Sequence, residues 1–128
     1  MHILLVNPWI IDFAAYDLWA KPLGLLAVGA FLKARGHSVS LVDCMNRFQG
    51  ENGYIGGEKR PYGTGKFHRE IISKPDCYAH IPRYYCRYGI PVDVFRQQIN
   101  KVQAPDVILV TCIMTYWYPG AFKAISLL

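Results

Sequence analysis

The pattern that most restricts this chain is a strand, a helix and a second strand packed into its first ~40 residues. His2-Ile3-Leu4-Leu5-Val6 is a short Leu and β-branched run stopped by Asn7-Pro8. It is too short for a helix and suits a buried strand. Pro22 stands where the first turn of a helix tolerates a residue without an N–H. Leu23, Leu26, Ala27, Ala30, Phe31 and Ala34 then recur at i, i+3, i+4 and i+7, and Lys33, Arg35 and Gly36 suit the helix C-terminus. Ser38 to Val42 reads as the second strand, ending at Asp43. A unit of this kind makes its two strands parallel and its crossover right-handed.

The pattern resumes late in the chain. Val92, Phe95, Ile99 and Val102 predict a second helix stopped by Pro105, and Val107-Ile108-Leu109-Val110 predicts a third buried strand. Thr111 to Tyr118 is its exit loop, and Pro119 opens a last helix with Phe122, Ile125 and Leu128 on one stripe. The fold expected is α/β, a flavodoxin/Rossmann-like three-layer arrangement over residues 1–128 whose parallel strands lie in the order 2-1-3. That order leaves strand three at an edge, whereas parallel strands are normally flanked on both sides. The expectation is therefore a truncated domain, part of a longer protein.

Residues 44–91 break the rhythm as a long irregular insertion, with glycines at 50, 53, 56, 57, 63 and 65 and prolines at 61, 75, 82 and 91. Irregular stretches of such length are functional or disordered as a rule. Eight of the eighteen aromatic residues fall in it, which argues that it packs on something. Charge concentrates there too. The whole chain carries +5, and between Glu58 and Pro91 seven Lys and Arg face three acidic residues.

Composition excludes several classes. With 52% hydrophobic and 18% charged residues the chain is not a disordered tail, and 128 residues suffice for one core without a staple. The first residues lack the basic leader of a signal peptide and run into Asn7-Pro8. The longest uncharged stretch, Val107 to Phe122, is interrupted by Thr111, Thr115, Pro119 and Gly120 and falls short of the ~20 apolar residues that span a bilayer. A cytoplasmic protein without membrane contact is expected, with Cys44, Cys77, Cys86 and Cys112 as free thiols.

Ligands of an open parallel sheet bind beyond the carboxyl ends of the strands where strand order reverses. Here that crevice lies between strands one and three, walled by Asn7 to Lys21 and by Thr111 to Tyr118. Trp9, Trp19, Tyr116, Trp117 and Tyr118 could line a pocket for a large flat ligand, or else cover the ends of the sheet. Asn7, Thr111 and Thr115 could bond its polar edge, or serve as ordinary turn and capping residues. Asn7-Pro8-Trp9 stands where a dinucleotide fold needs Gly-x-Gly-x-x-Gly, so no pyrophosphate cradle is present. Gly63-Thr64-Gly65-Lys66-Phe67 is only superficially like a phosphate loop, since Phe67 replaces the hydroxyl residue. His68, Cys77, His80 and Cys86 lack zinc-site spacing. No catalytic constellation stands out.

From Lys21-Pro22-Leu23-Gly24-Leu25 to Arg35-Gly36-His37-Ser38-Val39 the chain resembles the amino-terminal cobalamin-binding-like domain of radical SAM proteins. That family has a proline, Gly-Leu, and a helix ending in a basic residue and Gly-His before the second strand and its Asp. Val6-Asn7-Pro8, Val42-Asp43, Asp106 to Thr111 and Met114 to Gly120 fit as well, and the insertion from Gly63 to Ile90 is similar to that of one subgroup. The resemblance implies a domain that holds cobalamin, or has kept only the shape, ahead of a barrel where a 4Fe-4S cluster cleaves S-adenosylmethionine. With the crevice already placed, Asn7, Pro8, Trp9, Gly24, Thr111, Thr115 and Tyr116 are the expected cofactor-binding positions; the resemblance makes the downstream barrel the partner, and the open sheet edge offers a route to homo-oligomers. The axial-histidine motif Asp-x-His-x-x-Gly is absent, because Cys44 and Met45 follow Asp43, and no Cys-x-x-x-Cys-x-x-Cys occurs. The competing readings are a nucleic-acid or protein interaction module built on the basic, tyrosine-rich segment 58–91, and a degenerate scaffold without ligand.

Overall fold

All six residues of His2–Asn7 are buried, and they form β1. A run without polar alternation suits a strand covered on both faces. The computed structural model describes residues 1–18, 21–48, 56–59 and 61–128. After β1 come β2 (Ile10–Asp12), β3 (Tyr16–Asp17), α1 (Leu23–Ala34) and β4 (Ser38–Asp43). Next are β5 (Gly56–Lys59), β6 (Gly65–Phe67), β7 (Arg69–Ile71) and β8 (Cys86–Tyr88). The chain continues with α2 (Val92–Lys101), β9 (Val107–Val110) and α3 (Tyr118–Ile125).

The core is a three-stranded parallel sheet in the order β4-β1-β9, the 2-1-3 order expected. Registers run from His2 opposite Ser38 to Asn7 opposite Asp43, and from Ile3 opposite Val107 to Val6 opposite Val110. Because side chains alternate along a strand, β1 serves two clusters. Ile3 and Leu5 pack with Leu25 of α1, while Leu4 and Val6 pack with Trp9, Val42, Ile90, Phe95 of α2 and Ala124 of α3. The chain is thus a mixed α/β fold, with three α-helices among the described residues. None of the described helices is long and apolar enough to cross a membrane.

Four expectations change. The stripe predicted for α1 is rotated: Leu25 and Gly29 are buried, whereas Leu23, Val28 and Phe31 are exposed. The helix is apolar nearly all round, so its period could not select a face. In α3 the predicted Phe122, Ile125 and Leu128 are exposed, and Gly120 and Ala124 face inward. A Cβ at position 120 would overlap the carbonyl oxygen of Trp9, so close approach rather than bulk chose that face. The third strand is not buried, since Val107 and Ile108 are exposed at the sheet edge.

The fourth change concerns residues 8–21 and 44–91. Instead of only a loop and an irregular insertion, their described residues include two small antiparallel sheets, β2-β8-β7 and β3-β6-β5. Each takes one strand from the segment after β1, so the insertion packs on that segment. Met45, Phe67, Cys86 and Tyr88 form a separate small core there. Lys66 and Phe67 lie in a strand paired with Tyr16 and Asp17, which disposes of the phosphate-loop likeness. Gly89, at φ 126°, fits under the carbonyl of Cys44, where a side chain would collide. Trp19, Gly50, Gly53, Tyr54 and Arg60 lie outside the described residues.

Candidate functional site

The carboxyl ends of β1 and β4 are tied together by a buried polar knot. Asn7 donates its side-chain N–H to Asp43 Oδ1 at 2.7 Å, and the same oxygen accepts the backbone N–H of Met45 at 3.0 Å. The Cys44 N–H donates to the Asn7 carbonyl, and the Ile90 N–H to the Cys44 carbonyl. Asn7 and Asp43 are 3% and 6% exposed. Asp43 thereby spends its carboxylate on shaping the turn. Burial, reinforced by the neighbouring Asp43 charge, pushes the Cys44 thiol far above the usual cysteine range.

A thiol so placed is inert, which yields a direct check. At pH 8 iodoacetamide should alkylate the exposed Cys77 and Cys112, while the buried Cys44 and Cys86 should react only after denaturation, as read by mass spectrometry. Alkylation of native Cys44 at the rate of Cys112 would refute this packing.

Above the knot, between β1 and β9, lies a mostly apolar cavity of about 60 Å³. Asn7, Pro8 and Trp9 line it from the β1 side, and Cys112, Ile113 and Trp117 from the β9 side. Ile10 on β2 and Tyr16 on β3 continue the wall that follows β1, and Met45 and Phe67 close it from the insertion. Sequence reasoning brought the two switch-point loops together and the structure does the same. It missed Met45 and Phe67, whose only signal was the clustering of aromatics in the insertion.

The individual candidates divide. Trp9 is 1% exposed, donates Nε1–H to the Ile90 carbonyl at 2.6 Å and lies with its ring 4.8 Å from that of Phe95. Most of its surface therefore belongs to the core. Trp117 donates to Asp12 at 3.0 Å and so ties the β9 loop to β2. Thr111 is half-buried, its N–H bonded to the Val6 carbonyl, and Thr115 is exposed at the start of a single 3₁₀ turn. Neither lines the cavity. Tyr116 is exposed and faces a separate surface hollow with Ile11, Tyr85 and Tyr118. Gly24 lies exposed in the first turn of α1, away from the cavity.

Cobalamin fits this crevice poorly. Pockets for drug-sized ligands run to about 300–1,000 Å³, and a corrin is larger than such ligands, whereas the space here is about 60 Å³. The contact of Gly120 with the Trp9 backbone and the Trp117–Asp12 bond hold the two walls together. Among the described residues no three His, Cys, Asp or Glu side chains are grouped to hold a metal ion. Compared with family models, curated proteins and solved structures, the chain has no match.

Proposed function

We propose that this chain is the amino-terminal cobalamin-binding-like domain of a radical SAM protein, acting as an accessory domain that has kept the shape rather than as a carrier of the cofactor. The observation that carries this reading is the parallel sheet in the order β4-β1-β9, with the three sequence blocks that resemble the family at the end of β1, along α1 into β4, and from β9 into α3. In this reading the three strands are the central part of a flavodoxin-like sheet. The small volume of the crevice favours the accessory role over cofactor carriage.

Uncovered apolar surface supports docking as well. Leu23, Val28 and Phe31 on α1, Val107 and Ile108 on β9, and Phe122 and Ile125 on α3 are all exposed. Apolar side chains on three elements in this number suit burial against a further domain. The resemblance supplies that domain as the downstream barrel, which would carry the 4Fe-4S cluster and S-adenosylmethionine in the cytoplasm. This chain has no Cys-x-x-x-Cys-x-x-Cys with which to bind such a cluster.

Two results test the proposal separately. Anaerobic titration with hydroxocobalamin is expected to leave the visible spectrum of the corrin unchanged. A saturable shift would overturn the accessory role and restore cofactor carriage. The coding sequence beyond Leu128 is expected to contain Cys-x-x-x-Cys-x-x-Cys, and an open reading frame continuing through a full barrel's length without it would overturn the family assignment.

A further inference from the structure

Where the two small sheets adjoin, the link between β2 and β3 borders an open groove of about 740 Å³. Its size lies within the range of small-molecule sites. Three permanently cationic side chains line it: Lys66 on β6, Arg69 on β7 and Arg83 on the approach to β8. Among the described residues no Asp or Glu lines it. The nearby Glu70 is already paired with Arg87, and it also stands 3.8 Å from His68 Nε2 on the groove wall. The Glu70 carboxylate is thus matched by Arg87.

Like charges gathered in one concavity repel each other, and a cleft with low-dielectric walls focuses their field on whatever enters. The arrangement is relieved by a bound anion. The remaining walls are aromatic. Phe13, Tyr16 and Tyr88 line the same groove, with Tyr16 exposed and the Tyr88 hydroxyl anchored on the Phe13 carbonyl at 3.2 Å. Cations that hold phosphate oxygens beside aromatic faces that stack on a base are the two elements needed to bind a nucleotide.

We propose that this groove is a binding site for a nucleoside phosphate, its phosphates held by Lys66, Arg69 and Arg83 and its base stacked on the exposed Tyr16. The groove shares Tyr16 and Phe67 with the wall of the β1–β9 crevice, and the proposal does not depend on the family assignment. The same chemistry is offered by a free nucleotide and by the end of a nucleic-acid strand. The groove's bounded volume favours the free nucleotide.

The test is equilibrium titration of the full chain with ADP, adenosine, pyrophosphate and a single-stranded oligonucleotide at low salt. ADP is expected to saturate, with adenosine and pyrophosphate each weaker by about tenfold or more, because each keeps only half of the contacts. Lys66 and Arg83 are both exposed, so the double variant Lys66→Ala/Arg83→Ala should fold normally. It is expected to weaken ADP by about tenfold or more with an unchanged thermal midpoint, and Lys66→Arg should retain binding. The proposal is overturned by non-saturating ADP, by undiminished binding in the double variant, or by pyrophosphate binding as tightly as ADP. Tighter binding of the oligonucleotide than of ADP would likewise overturn it in favour of a nucleic-acid surface.

Discussion

Replacement of Trp9 by alanine is expected to lower the free energy of unfolding by about 3–5 kcal/mol. The ring is 1% exposed and packs on Phe95 in the larger core. Removing it forfeits the transfer energy of a large aromatic and leaves a cavity that the sheet and α2 can only partly fill. It also strips the Ile90 carbonyl of the indole N–H that it accepts. Trp9→Phe keeps most of the ring and loses the donor, so a smaller cost of about 1–2 kcal/mol should isolate the hydrogen bond. Urea denaturation followed by far-ultraviolet circular dichroism measures both. A loss below about 1 kcal/mol for Trp9→Ala would mean that the ring is a ligand-facing wall rather than core, since surface substitutions stay near ±0.5 kcal/mol.

The second large effect is expected at Arg47. Its Nε donates to Asp17 Oδ2 at 2.8 Å and a terminal nitrogen donates to the Gly63 carbonyl, with both charged side chains under a tenth exposed. Arg47 follows the turn after β4, Asp17 ends β3, and Gly63 precedes β6. One guanidinium therefore ties the parallel core to the β3-β6-β5 sheet. Arg47→Ala leaves the Asp17 carboxylate buried without that guanidinium, a change that costs about 3–5 kcal/mol where a buried pair is broken on one side. Arg47→Lys keeps the charge but not the fork and should fall between the wild type and alanine. Amide hydrogen exchange should show protection lost in β3 and β6 before β1 and β4. Uniform loss across all strands, or retention of protection in β6, would count against this division of labour.

The contrast between helices shows where the sequence specifies a buried face and where it does not. In α2 apolar residues alternate with Asp93, Arg96, Gln97 and Lys101, so the period selects a face, and Phe95 is fully buried as expected. In α1 and α3 apolar residues surround the helix, and the contact is set by which residue is small enough. Gly29 admits Leu5, since a Cβ there would come within 2.5 Å of Leu5 Cδ1, and Gly120 admits the Trp9 backbone. Patterns that reward bulk selected the opposite, exposed faces.

The candidate site divides along the same line. Its two walls were legible because sheet topology places the exits of β1 and β9 side by side. Its third wall, Met45 and Phe67, was not, because β6, which carries Phe67, and the neighbouring β2, β3, β7 and β8 are two or three residues long. Strands so short show no alternation, and their partners are remote, with Ile10 opposite Tyr88 and Tyr16 opposite Lys66.

Sequence alone determined the parallel β4-β1-β9 core, the positions of its helices and the basic, aromatic character of the insertion. These follow from local runs, caps and composition. Only the tertiary structure decided that Trp9 faces the core, that the crevice is nearly filled, and that Lys66, Arg69 and Arg83 converge on one groove. Those outcomes depend on close backbone approach and on pairing between distant short strands, and neither leaves a period in the sequence for a local pattern to detect.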